Sequence, residues 1–406
     1  MKPIFKIIIA ALVVLGVAAL GVFTVFFADT MRLRLILCIC AALLVLVGLI
    51  LGIVLSKPRW LKILYGCVLF VLVAAAGTAY FVGADFMSSL NEGSVEITER
   101  LSPAATAAPM PELEYTDEAP AEEEFDIDID TDTDTEVEAT LSPEATPVPI
   151  YKRDRLSEDV VNILILGQDA DRLYSGYGRS DVMLLISYDR TKGTIKLLSF
   201  MRDSYVPIEG HNWNRLNTCI RFGGPGLIIN TINELFDLDI QYYVTLAFDE
   251  FKTLVDNIGG IDVELNQKEA NRIGVRWAGE GETHHLNGTQ ALIFVRDRKT
   301  GQGDFSRTEH QRRFMLALYD KIRSEMNFNT LTSLVNFSKG YVRTNLSFAD
   351  ITALGLELLD GPAIEIETAR MPFDGTWRYA RVNGASVLPI DIEANAELIH
   401  EYLYGE

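Results

Sequence analysis

Arginine and aspartate recur together in four short stretches of this chain. The first, GQDADRLYSGYGRSD, holds Asp169, Asp171, Arg172, Arg179 and Asp181; the second is Met201-Arg202-Asp203. The third is Asn214-Arg215-Leu216-Asn217, and the fourth, RDRKTGQGDFSRTEHQRR, holds Arg296, Arg298, Asp304, Arg307, Gln311 and Arg312. Between Arg296 and Arg313 there are six bases and three acids, a local +3 in a chain whose net charge is −20. A guanidinium meets phosphate oxygens through a planar fork of donors, and carboxylates such as Asp169 and Asp181 can supply oxygen ligands to Mg²⁺. Arg307 and Gln311 are four residues apart in a helical stretch and share a face, with Asp304 at the start of that helix. Any one of these residues alone reads as a surface salt bridge or a helix cap. Four clusters, each beside the end of an expected strand or helix, favour a site for a phosphorylated ligand.

The elements that must position them follow from apolar periodicity. Val160–Leu166, Val182–Tyr188 and Ile195–Phe200 are short apolar runs bounded by turn residues, as in buried strands. A helix is expected from about Gly226 to Phe236 and a strand at Tyr242–Phe248. Asp249 is expected to cap a helix that ends at Gly259-Gly260. A strand at Ile261–Leu265 and helices at Gly288–Val295 and Phe305–Met326 come next. A helix near Phe348–Leu359, a strand at Ala363–Met371 and a helix at Ile392–Tyr404 complete the pattern. Strands alternating with helices predict an α/β fold with a sheet covered on both faces.

Ahead of this domain lie three charge-free apolar runs, Ile7–Phe27, Leu35–Leu55 and Ile63–Val82. Each has the length of about 20 residues that a spanning helix needs. Lys2, Lys6, Lys57, Arg59 and Lys62 fall on one side of the spans, and Arg32 and Arg34 on the other. The positive-inside rule therefore places the N-terminus in the cytoplasm and everything after Val82 outside. The expected organisation is a three-span membrane anchor at 1–83, an acidic Pro/Thr-rich linker at 84–150 and an extracellular domain at 151–406, with its motifs between 160 and 326. Residues 111–140 hold 14 Asp or Glu and no base, a composition that stays extended and disordered. The acidity argues against a nucleic-acid binder, and four cysteines in 406 residues exclude a disulfide-stapled scaffold. Cys219, with no histidine near it in sequence, reads as a small packed residue.

NILILGQDA, GRSDVMLL, IKLLSFMRDSYVPI, NRLN, FGGP, YYVTLAF, FKTLVDNIGGIDVEL, LNGTQALIFVRDR and GDFSRTEHQRR occur in that order from Asn162 to Arg313. Together they resemble the LytR-CpsA-Psr family of bacterial cell-envelope proteins. The resemblance implies a three-layer α/β/α sandwich around a central mixed sheet, preceded here by the three transmembrane helices and the disordered acidic linker. It implies a phosphotransferase that moves a glycopolymer, such as teichoic acid or capsular polysaccharide, from a polyprenyl-diphosphate carrier to a muramic acid hydroxyl of peptidoglycan. By the same resemblance Asp169 and Asp181 match metal-linked aspartates, for Mg²⁺ or Mn²⁺. Arg179, Arg202, Arg215, Arg296, Arg298, Arg307 and Gln311 match the diphosphate-binding set, and Asp304 an acid that orients it. Arg179, Asp181 and Arg202 are the expected catalytic residues. Arg215 stands where relatives often carry Lys, and the three spans depart from the single span of many relatives. Two alternatives remain open at this stage: a polyprenyl-diphosphate hydrolase, and a non-enzymatic envelope regulator that binds lipid-linked polymer.

Overall fold

The computed structural model describes residues 95–100, 110–116, 147–169, 179–325, 342–347, 350–351, 353–354, 357 and 364–405. The chain divides into two units, Ser89–Leu346 with Ala363–Glu406, and Met1–Ser88 with Ser347–Pro362. The three expected spans and most of the helix expected near Phe348–Leu359 lie outside the described residues. No helix among the described residues is long and apolar enough to cross a membrane.

The larger unit begins with three short strands, β1 (Ile97–Thr98), β2 (Glu114–Thr116) and β3 (Ile150–Tyr151). The long strands β4 (Val160–Asp169), β5 (Arg179–Asp189) and β6 (Thr194–Phe200) come next, then β7 (Ser204–Val206) and β8 (Asn214–Arg215). A 3-10 turn, Leu216–Thr218, leads into α1 (Cys219–Phe236). Then come β9 (Tyr242–Ala247), α2 (Phe248–Asn257), β10 (Ile261–Glu264), α3 (Gln267–Ile273), β11 (Thr283–Leu286) and α4 (Gly288–Arg296). The chain continues through α5 (Asp304–Glu325), β12 (Val342–Thr344), β13 (Glu365–Met371), β14 (Tyr379–Val382), β15 (Ala385–Pro389) and α6 (Ile392–Tyr404).

The central sheet is mixed and six-stranded, in the order β12-β9-β4-β5-β6-β13. Period-two alternation sends Leu164, Leu166, Met183, Leu185, Leu198 and Phe200 to one face. There they pack with Ile228 and Ile232 of α1 and Ile399 and Leu403 of α6 in one apolar core. Helices α2 and α5 cover the other face: a side chain at Gly167 would come within 3.6 Å of the Phe248 ring, and Arg312 of α5 donates to Ser199 Oγ at 3.2 Å. This gives the expected layering, helix against sheet against helix. A second sheet, β2-β14-β15-β7-β8, receives the chain as it leaves the first. Strands β6 and β13 run parallel, and Met201 N donates to Met371 O just past their ends, so both cross to the second sheet at the same level.

Three expectations need correction. The linker assigned to 84–150 contributes structure to the domain. Strand β1 pairs with β3 in parallel, β2 pairs with β14, and Val95 and Ile150 are buried in the main core. The acid-rich composition of the stretch concealed these few apolar residues. Asp249 lies within the first turn of α2, and Ala247 is the N-cap, because β9 runs into the helix with no intervening loop. Helix α1 starts seven residues earlier than expected, at Cys219. Gly223 and Gly224 leave helical geometry just before Pro225, so two helical pieces meet at a kink.

Candidate functional site

The Arg202-Asp203 turn sits where the chain passes from β6 to β7. Main-chain hydrogen bonds fix it: Asn217 N donates to Arg202 O at 3.2 Å, and Leu388 N donates to Asp203 O at 2.8 Å. On the neighbouring strand the register shifts. Gly167 pairs with Val182 but Gln168 pairs with Ser180, which leaves Asp181 as the extra residue of a β-bulge. A bulge of this kind re-aims a side chain and is frequent beside active sites. The Asp181 carboxylate accepts a hydrogen bond from Arg202 Nη1 at 2.8 Å, and Arg307 Nη1 lies 3.6 Å from the same oxygen.

Arg307 comes from the first turns of α5, as does Asp304. Acid in the first turn suits the positive end of the helix dipole. Asp304 Oδ1 is the hub of the cluster, 2.7 Å from Arg307 Nη2, 3.5 Å from Arg202 Nε and 3.7 Å from Arg298 Nε. Arg298 is placed by Asp297, which accepts from Thr300 N at 3.1 Å and pairs with Arg272 at 3.3 Å, closing the loop between α4 and α5. Asp203 joins the rim, with Arg202 Nε at 3.4 Å and Arg215 Nη1 at 3.5 Å. Four guanidiniums and three carboxylates therefore share one place, for a net charge of +1.

Few hydrogen bonds hold this cluster. Arg307 is 2% exposed, yet none of its three guanidinium nitrogens has a hydrogen-bond partner. Its 2.7 Å approach to Asp304 is an ion pair without hydrogen-bonding angles. Arg202 Nε, Asp203 Oδ1 and both oxygens of Asp304 are also buried without a hydrogen-bond partner. Buried polar groups are rarely left in this state, and a set of donors converging on one cavity is what an anion would satisfy. The electrostatics agree. Burial pushes the Asp181 carboxyl up, but Arg202, Arg307 and Arg298 outweigh it and hold it well below the usual carboxylate range. Burial lowers Arg202, and Asp203, Asp181 and Asp304 more than restore it, so its proton is held more tightly than usual. Arg298 is pushed down to about 10 by burial and by its neighbours Arg307 and Arg202, and stays charged at neutral pH.

Arg202, Asp181, Arg215, Arg298, Asp304 and Arg307 are thus brought together from distant parts of the chain. The backbones of Asp169 and Arg179 pair with each other across β4 and β5, one step from Asp181. Their side chains lie outside what is described. Arg296 is exposed and stacks over Phe248, with its guanidinium carbon 4.6 Å from the ring centroid. Gln311 donates to Val295 O at 3.3 Å, so its amide braces the end of α4 against α5. Arg312, from the same run, turns away to Ser199, and His310 and Arg313 bind Glu269. Sequence reasoning left Asp203 and Asp297 outside the binding set. Their position beside Arg202 and between Arg296 and Arg298 was the available signal. Among the described residues no three His, Cys, Asp or Glu side chains gather as a metal site. Asp181, kept ionised, is the carboxylate suited to a cation that takes most of its remaining ligands from substrate phosphates and water.

The LytR_cpsA_psr family model matches residues 121–401. Regulatory protein MsrR of Staphylococcus aureus (strain COL) is 27% identical over 249 residues, covering 60% of this chain and 74% of that protein. The polyisoprenyl-teichoic acid–peptidoglycan teichoic acid transferase TagT of Bacillus subtilis (strain 168) is 31% identical over 208 residues, 49% of this chain and 63% of TagT. The structure of TagT bound to LI-WTA superposes with a TM-score of 0.51 at 25% identity, over 61% of this chain and 90% of that one. The crystal structure of B. subtilis TagV gives a TM-score of 0.50 at 26% identity, over 61% and 98%.

Proposed function

We propose that this chain, which belongs to the LytR-CpsA-Psr family, transfers a glycopolymer from a polyprenyl-diphosphate carrier onto peptidoglycan. The observation that carries the reading is Arg307: a fully buried guanidinium, unsatisfied in its hydrogen bonds, flanked by Arg202 and Arg298 around Asp304. The similarity to TagT, named as a teichoic acid transferase, supports the reaction class. Membrane anchoring through the three N-terminal spans, with the α/β domain outside, would bring the site to its lipid-linked donor.

In this mechanism a muramic acid hydroxyl attacks the phosphorus nearest the sugar. A new P–O bond forms to that hydroxyl oxygen, the bond to the bridging oxygen breaks, and polyprenyl monophosphate leaves. The hydroxyl proton passes to the leaving phosphate or to solvent. Arg202, Arg298 and Arg307 neutralise the diphosphate and the charge growing on the leaving group. Such a loose phosphoryl transition state asks for positioning and charge stabilisation more than for a nucleophile on the protein. Asp181 orients Arg202 and Arg307, and its depressed pKa makes it a poor proton acceptor. A Mg²⁺ or Mn²⁺ ion would be held by Asp181 with Asp169 and would add Lewis-acid neutralisation of the phosphate oxygens.

The test is turnover on a purified lipid-diphosphate glycan with and without peptidoglycan. The reading requires a peptidoglycan-linked product, loss of at least about a hundredfold in rate for Arg202→Ala, and inhibition by EDTA. Release of free polymer phosphate with or without peptidoglycan would make the protein a hydrolase. Tight binding with no turnover would make it a regulator.

A further inference from the structure

Gln168 is 1% exposed, and neither its Nε2 nor its Oε1 has a hydrogen-bond partner. Asn162 and Asn217 each leave only Oδ1 unpaired, and three further amides of the domain are paired on both atoms. Asn233 donates to Ile240 O and accepts from Ile240 N, Asn230 donates to Pro149 O and accepts from Tyr151 N, and Asn345 donates to Gln241 O and accepts from Tyr243 N. The hydroxyl of Ser180, the residue opposite Gln168 on β5, is already spent on Gly167 O and Val182 O. Gln168 is therefore a buried donor and acceptor that the folded chain does not satisfy.

Sheet register shows where this amide stands. Leu166 faces Met183 on β5, and Leu184 faces Ser199 on β6, so Leu166, Met183 and Phe200 form one row across three strands. Two residues further on, the register shifts: Gln168 stands opposite Ser180, next to the Asp181 bulge, and Arg202 follows in the turn after β6. Gln168 lies on the far side of Asp181 from Arg202, since β5 stands between β4 and β6. Alternation places it on the same face as Leu164 and Leu166, at the edge of the apolar core beneath α1. It marks the seam between the charged cluster and that core.

We infer that Gln168 hydrogen-bonds a hydroxyl or acetamido group of the sugar joined directly to the diphosphate, and so selects for a sugar-bearing donor. The inference rests on the transferase reading above. A diphosphate diester offers only acceptor oxygens and could satisfy Nε2 alone. A sugar hydroxyl or acetamido group offers a donor and an acceptor together, the complement of a carboxamide. A site built to hydrogen-bond such a group discriminates strongly against an analogue that lacks it, because the buried amide is then left unpaired.

The experiment uses the full chain in lipid nanodiscs and two probes: a polyprenyl diphosphate carrying an N-acetylhexosamine, and the same polyprenyl diphosphate with no sugar. Gln168→Met keeps the length of the side chain and removes both polar atoms; Gln168→Leu is the second variant should the first not fold. The expected result is about tenfold weaker binding of the sugar-bearing probe, the worth of a buried hydrogen bond. Binding of the bare probe stays unchanged, and the ligand-free protein melts no lower than wild type, since an unpaired amide has been replaced by an apolar group. Equal weakening for both probes, no change for either, or a lower melting temperature with no difference between probes would overturn the inference. Arg202→Ala separates the two levels. If that variant binds both probes as tightly as wild type, the diphosphate reading itself fails, whatever Gln168 does.

Discussion

Replacing Asp304 by Asn removes the hub of the charged cluster without changing its size. Asp304 and Arg307 stand 2.7 Å apart, and Arg307 is 2% exposed. Two unit charges at that distance attract by about 6 kcal/mol at an effective dielectric of about 20. Desolvation of both ions takes back most of this, and removing one partner from a buried pair costs about 3–5 kcal/mol. Arg307 keeps Asp181 at 3.6 Å as a second counter-ion, which puts the expected cost near the lower end, at about 3 kcal/mol. For a domain of this size that is a fall of about 6–12 °C in melting temperature. The same substitution raises the net charge of the described cluster from +1 to +2. Inorganic pyrophosphate should therefore bind Asp304→Asn more tightly than wild type and restore part of the lost stability. At ten times its dissociation constant, a ligand adds about 1.4 kcal/mol. Differential scanning fluorimetry on the full chain, with and without pyrophosphate, reads both effects. An unchanged melting temperature, or the same pyrophosphate shift in variant and wild type, would refute the view of Asp304 as an internal counter-ion for an anion site.

Two further expectations concern groups away from the cluster. Burial would raise the Glu269 carboxyl, but hydrogen bonds from His310, Arg313 and the Asn266 backbone bring it down from 4.5 to about 2. Its contribution to stability is therefore present above pH about 4.5 and is lost as pH falls through about 2. Glu269→Gln should flatten the decline of melting temperature across that window, and an unaltered slope would show that the contacts to α5 carry no such energy. Burial pushes the Cys219 thiol up to about 12, which leaves almost no thiolate at neutral pH. With Cys38, Cys40 and Cys67 replaced by Ser, the native protein should not react with a disulfide reagent until denatured; prompt modification would mean that α1 opens.

The parts of the fold that announce themselves in the sequence are those with long uninterrupted periodicity. Strands β4, β5 and β6 each contain the expected apolar run, and α6 spans the expected residues Ile392–Tyr404. The short strands β7, β8, β14 and β15 went unread because two to five residues carry no period. Helix α3 was legible and overlooked: Asn266 and Glu269 form a capping box at its start. The contribution of residues 147–151 could not be read from composition, because it depends on a close approach. Gly226 lies so near the Val148 carbonyl that a side chain there would stand 1.7 Å from the oxygen. At the site, residue type pointed to the arginines and to Asp304. The bulge that frees Asp181 and the bond that commits Gln311 to Val295 are properties of register and packing. The shared face of Arg307 and Gln311 is a correct helical inference that says nothing of what each side chain meets.

Carboxylates at the heart of an anion site need a reason, since they repel the ligand they surround. The reason lies in the free protein. Arg202, Arg298 and Arg307 converge within a buried space, where burial first and the like charges of Arg307 and Arg202 second push Arg298 down. Asp304 and Asp181 make that convergence tolerable before any phosphate arrives. They do so at little cost in donors, because Arg202 Nε and Arg307 Nη1 and Nη2 face carboxylates by charge without being engaged in hydrogen bonds, and Arg307 Nε has no hydrogen-bond partner. The guanidiniums are thus held in place with those donors unspent, and a diphosphate can take them without first breaking a hydrogen-bonded network. Preorganisation of this kind keeps the reorganisation needed on binding small.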